Sequence, residues 1–249
     1  MSTIEGKTPA EVLEMLGGKI DIDFSSQVQD RLDVDVVQIG LKANGSCLCL
    51  GSRPVIVAPR TDNWFRQVFG IAHELGHIAQ GTMIKNDDEI KEQEDGANLF
   101  AADLLMPEAQ IHSLVEGKVE PVKFARFIWD WGISVPALST RLEDFKLPVP
   151  EFLYEDGKTV YTQNFLGEHL EEIGLTWADL QRRASLSGAQ RFPTELLNNL
   201  YEQVIKGNVP IDTYKWTLGI QITDNLVEEV PEESDKDLSA DAILKLLEL

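Results

Sequence analysis

Cysteine is nearly absent from this 249-residue chain: Cys47 and Cys49 are the only two, at alternate positions of the run SCLCL. Alternate side chains share one face of a strand, and a single intervening residue is too short a loop for an ordinary disulfide. A disulfide scaffold is therefore excluded, and free thiols point to a reducing, cytoplasmic setting. A Cys-x-Cys pair can donate to a metal, but two small apolar side chains in a strand need no such role. Long apolar runs are also missing. None approaches the ~20 residues of a membrane span, so no membrane partner is expected. The stretch MSTIEGKTPAEVLEML has no basic, apolar, small-residue order, and a secretory signal is not expected. Cations are scarce, with 22 Lys and Arg against 42 Asp and Glu and a net charge of −20. Nucleic-acid binding rests largely on cations that neutralise phosphates, so direct binding to nucleic acid is not expected, whereas a basic partner is permitted.

What remains is an ordinary globular composition, 43% hydrophobic and 26% charged, in a chain long enough to bury a core. The first part reads as mixed α and β. Helical pattern covers 9–16 and 25–32. Three short strands follow at 34–41, 46–50 and 53–60, with Asn44-Gly45 and Gly51-Ser52 as turn signals, which predicts a meander. A long helix is expected from Thr61, as N-cap, to Ala79, because Trp64, Val68, Ile71, Leu75 and Ile78 step by three and four. The next helix should start near Asn86, with Asp87, Asp88 and Glu89 in its first turn, and stop at Pro107. Residues 120–132 and 134–146 form a helix, turn, helix unit with Gly132 at the turn. Helical runs follow at 165–173, 176–186 and 194–206, then an acidic linker at 228–237 and a last helix at 238–247. The fold class is α+β. The expected divisions are 1–115, 116–150 and 151–249, with LPVPE at 147–151 marking the last boundary.

Histidine is scarce too, and this is informative. Of four in the chain, His73 and His77 stand four apart with Glu74 directly after the first. A four-residue step turns a helix about 400°, so both imidazoles leave nearly the same face, one turn apart, where they can share one Zn²⁺. Glu74 lies about 100° around from His73, placed to act as general base toward a water at the metal. A three-residue signature also arises by chance on amphipathic helices, so the third protein ligand decides. His112 and His169 are open, as are Glu92, Glu94 and Asp95. Around the helix, Glu94 aligns with Ile90, Ala97, Ala101 and Leu105 and points at the core, while Glu92 lies about 200° away with Asp103. Glu94 is the expected ligand. Asn98, one turn further, can accept the free ring N–H of a ligating histidine.

The stretch AHELGH at 72–77, followed by EDGANLFAADLLMPE at 94–108, resembles the ImmA/IrrE metallopeptidases, which couple HExxH to ExxANxFAxxLLMP. The resemblance covers about residues 30–145 and departs at Gly96, where the family more often has glutamate. WGISVPALSTRL at 131–142 is similar to the family's helix-turn-helix segment, and 191–207 is more loosely similar to downstream sequence in some members. It implies a zincin-like core with a small sheet and active-site helices, then a helix-turn-helix-like segment and a helical C-terminal region. It implies zinc, with manganese as the alternative, on His73, His77 and Glu94, and Glu74 as catalytic base. It also implies a partner: a small helix-turn-helix repressor, cut at one site to relieve repression. Two other readings stand beside this one, a metal-stabilised antirepressor that sequesters its partner uncut, and a DNA-binding regulator using 121–146. An extended substrate would be gripped by a sheet edge formed by 46–50 or 54–59. For the oxyanion, Tyr154, Tyr161 and His112 are candidates by chemistry alone.

Overall fold

The computed structural model describes residues 4–42, 44–51, 53–83 and 90–220. They pack as two compact units, the first ending at Ala189 and the second starting at Gln190. The expected helix start at 86–89, the acidic linker and the last helix lie outside the described residues. Among the described residues no helix is long and apolar enough to cross a membrane.

The first unit begins with α1 (Pro9–Met15) and α2 (Phe24–Leu32), then β1 (Asp35–Ile39), β2 (Ser46–Leu50) and β3 (Arg53–Pro59). The sheet is not a meander. Its order is β1-β3-β2, with β1 parallel to β3 and β2 antiparallel to it. Burial explains the order. In the apolar run PVIVA of β3, Val55, Ile56 and Ala58 are buried, and β1 buries Val36, Val37 and Gln38. Strands apolar along their length suit positions covered on both faces. Four of the five residues of β2 are exposed, including Leu48 and Leu50, so this short strand takes the edge.

Helix α3 (Trp64–Gln80) follows. Its N-cap is Asn63 rather than Thr61: the Asn63 side chain accepts from the Arg66 N–H, while the Thr61 hydroxyl accepts from the Asn63 N–H. Helix α4 (Ile90–Leu105) lies against α3, and its Ala97, Ala101, Leu104 and Leu105 are buried. The closest approach is at Gly76. A Cβ there would lie 3.0 Å from Ala97 Cα, 3.0 Å from Phe100 Cβ and 3.1 Å from Ala97 O. Gly76→Ala is therefore expected to wedge the two helices apart, costing about 1–3 kcal/mol and lowering Tm by several degrees. A thermal melt equal to the parent's would show that the helices yield without strain.

Helix α5 (Glu108–Val115) leads to α6 (Pro121–Trp131) and α7 (Val135–Asp144), the expected helix pair, with Gly132 left-handed at φ 64° between them. The break at 147–151 lies inside the first unit. It is followed by a hairpin of β4 (Tyr154–Glu155) and β5 (Lys158–Thr159), whose turn residues Asp156 and Gly157 both have positive φ. Helices α8 (Thr162–His169) and α9 (Trp177–Gly188) complete the unit. The end of α9 is bound to the core. Gln67 of α3 donates to Ser187 O at 2.8 Å, and Gln38 of β1 donates to Leu186 O and Ala189 O. These bonds satisfy carbonyls that a helix end leaves unpaired. Arg183 is buried with its guanidinium 4.8 Å from the Trp129 ring and donates to Trp129 O; burial lowers its pKa to about 10.

In the second unit α10 (Thr194–Ile205) and α11 (Ile211–Thr217) pack on each other. Tyr201 lies 5.5 Å from Tyr214, and Phe192 lies 5.6 Å from Trp216.

Candidate metal centre

The α3–α4 packing brings three side chains to one point. His73 and His77 project one turn apart from α3, and Glu94 reaches them from α4. His73 Nε2 lies 3.2 Å from Glu94 Oε2, His77 Nε2 lies 3.6 Å from Glu94 Oε1, and the two Nε2 atoms are 3.1 Å apart. Ligands about 2.0–2.1 Å from a tetrahedral zinc lie roughly 3.3 Å from one another, so the three separations suit one small cation. His77 is buried and His73 nearly so. Glu92 is exposed, as its helix position requires.

The far side of each imidazole is held by an oxygen. Asn98 Oδ1 lies 2.9 Å from His73 Nδ1, and Thr82 Oγ1 lies 2.9 Å from His77 Nδ1. Thr82 arrives there through the helix end. Gly81, left-handed at φ 69°, reverses the chain, and the Thr82 N–H donates back to His77 O at 2.9 Å. The Thr82 hydroxyl also faces His77 O at 3.5 Å; donating there, it accepts from the Nδ1–H. Oxygen acceptors at both Nδ1 atoms leave both Nε2 lone pairs directed at the Glu94 carboxylate. Two lone pairs and a carboxylate converging this closely repel one another unless a cation lies among them.

Glu74 is buried beside this group and lines a cavity of about 340 Å³ together with His73, Glu94 and Asn98. The opposite wall comes from the chain just before β2: a Cβ on Gly45 would lie 3.5 Å from Glu74 Oε1. At Gly96, the residue that departs from the family pattern, a Cβ would lie 2.9 Å from Gln80 Oε1. The side chain of Gln80 occupies that space and donates to Gly96 O at 3.1 Å, a link between α3 and α4 that glycine permits. His112 and His169 are elsewhere, beside Glu108 and Glu172. Tyr154 donates to Glu143 and Tyr161 is exposed; neither they nor His112 line the cavity.

Thr82 and the Asn44–Gly45 segment were not expected from sequence. A Gly-Thr pair closing a histidine-bearing helix is a usable signal for the first, since a left-handed Gly returns the next residue to the last turn. For the second, the Asn44-Gly45 pair signals a turn, and nothing in it marks a wall of the cavity.

The model of the IrrE N-terminal-like domain, a peptidase family, matches residues 29–143, a little under half of the chain. These residues form an IrrE-type peptidase domain. The match runs from within α2 to the end of α7, so it contains the whole sheet, both helices of the metal centre and the α6–α7 pair. No curated protein matches the chain. The IrrE-type family is zinc-dependent, and the donor set of two neutral imidazoles and a carboxylate suits that ion.

Proposed function

We propose that the protein is a zinc endopeptidase that cuts one peptide bond in a small helix-turn-helix repressor and so relieves repression. The observation that carries the reading is Glu74 beside the His73, His77 and Glu94 group: a purely structural metal site has no use for a buried carboxylate aimed into an adjoining cavity. His73, His77 and Glu94 would hold the metal, with zinc favoured over manganese by the imidazole donors. When bound, zinc supplies Lewis acidity for the scissile carbonyl and the attacking water. Glu74 takes the proton from that water and returns it to the leaving amine. Asn98 and Thr82 keep the imidazoles oriented.

Three observations weigh against the α6–α7 pair acting on DNA. Lys123 is bound to the carbonyls of Ser113 and Glu116, Arg126 to Asp130 and Ile173 O, and Arg141 to Asp103. These cations serve the fold and present little charge to phosphates. The test is incubation of the zinc-loaded protein with small helix-turn-helix repressors, beginning with any that a neighbouring reading frame encodes. Intact-mass measurement should find two fragments from a single cut, and chelation should abolish them. A stable complex with no cut in the presence of zinc would favour the antirepressor reading.

Edge strand β2 is suited to hold an extended substrate. A two-residue connection makes Leu50↔Arg53 the closing hydrogen-bonded pair, so such pairs recur at Leu48↔Val55 and Ser46↔Val57. The backbone groups of Cys49 then face the outer side. Val55 and Ile56 belong to the central strand, which rules them out as the grip. Cys49→Pro removes an outward donor and should leave fold and zinc intact while slowing cleavage roughly three- to tenfold. Leu48→Pro removes a donor to β3 and should destabilise the sheet. Parental cleavage by Cys49→Pro would move substrate recognition away from this edge.

A further inference from the structure

The cavity beside the metal centre has mixed walls, with Ile56, Ala58, Phe69 and Ile71 on the apolar side and Glu74 and Glu94 among the polar lining. Arg66 is the only Lys or Arg among the described residues that line it. It precedes His73 by seven residues, two turns of α3, so the two share a face about 10.5 Å apart along the axis. The guanidinium is exposed, and its Nη2 donates to Asn44 Oδ1 at 3.1 Å. Asn44 adjoins Gly45, the residue packed against Glu74, so this bond fixes the charge at the rim of the cavity. One bond uses one of the five guanidinium N–H groups, and the planar fork matches a carboxylate.

We infer that Arg66 is a specificity-determining residue that receives a substrate carboxylate about three residues from the bond cut beside Glu74. The spacing follows from an extended chain, which advances about 3.3 Å per residue and so covers the distance from His73 to Arg66 in about three. The inference rests on the peptidase reading and adds to it a substrate class: peptides with an acidic group at that position. The overall charge of −20 does not prevent this, because at physiological ionic strength it is screened beyond about 8 Å, and contact at Arg66 decides. The carboxylate is either an Asp or Glu side chain or the end of the chain.

The full-length, zinc-loaded Glu74→Gln protein provides the test, since binding is then measured without turnover. Two sets of synthetic peptides on one neutral background are titrated at physiological salt. The first is amidated at its C-terminus and carries a single Asp, or a single Lys, at each position in turn; the second has a free C-terminus and no acidic side chain. One position, or the free terminus, should bind roughly tenfold better with the carboxylate, as a charge-assisted hydrogen bond implies. Adding Arg66→Glu should reverse the preference toward Lys, and adding Arg66→Ala should level it. Equal affinity for Asp and Lys at every position and no gain from a free terminus would overturn the inference. So would an equal loss for all peptides in Arg66→Glu, which would mean that Arg66 only braces the Asn44 loop. Cleavage of the same peptides by the parent reports separately on the peptidase reading: charge-selective binding without cleavage would defeat that reading and leave Arg66 as a carboxylate receptor.

Discussion

Glu74→Gln is expected to keep the parental zinc content and to lose peptide-bond hydrolysis by about 10²- to 10⁴-fold, the usual contribution of a general acid–base group. Glutamine has the size and shape of glutamate, so the buried position next to Gly45 stays filled and neither the sheet nor α3 has reason to move. What changes is the ability to accept a proton. Glu74 is not among the three groups that converge for a metal, so zinc content measured by mass spectrometry should not follow the loss of activity. That separation makes the experiment decisive. Parallel loss of zinc and activity would assign Glu74 to the metal itself, and cleavage at the parental rate would remove it from the mechanism.

Both histidines and Glu74 were legible because their geometry is local: four residues on one helix fix their relation whatever else the chain does. Glu94 was legible across 21 residues for a related reason. Only one acidic side chain in its helix shares a face with Ala97 and Ala101, and those alanines are small enough for the Gly76 approach. The sheet order was not legible. Turn signals indicate where strands end but not which strand lies in the middle, and the parallel β1–β3 pairing depends on what covers each face. The same limit applies to α9. Nothing in Gln38 or Gln67 as sequence shows that they bind the carbonyls at 186, 187 and 189, more than a hundred residues on. The β4–β5 turn was within reach, since Asp156-Gly157 between short β-prone segments is a hairpin signal.

Glu94→Ala should abolish tight zinc binding, whereas Glu92→Ala, two residues away in sequence and on the exposed side of the helix, should be close to neutral. The difference follows from charge as much as from ligand number. With Nδ1 of each histidine bonded to Asn98 or Thr82, the imidazoles reach the metal as neutral donors, and Glu94 is the only anion among the three converging groups. Removing it takes away one ligand and the one negative charge that offsets the divalent ion. Loss of an oxygen that only orients a ligating histidine typically costs about 10–100-fold in metal affinity. Thr82→Val and Asn98→Ala are expected in that range, and Glu94→Ala beyond it. Thermal stability gives a readout independent of catalysis. A ligand that binds only the folded state stabilises it by RT ln(1 + [L]/Kd), about 2.7 kcal/mol at a hundredfold excess over Kd. The parent and Glu92→Ala should therefore show a zinc-dependent rise in Tm of several degrees, Thr82→Val and Asn98→Ala a smaller one at the same free zinc, and Glu94→Ala none. The same rise in Glu94→Ala as in Glu92→Ala would mean that the third donor comes from another residue, and the pairing of α3 with α4 would then serve packing alone.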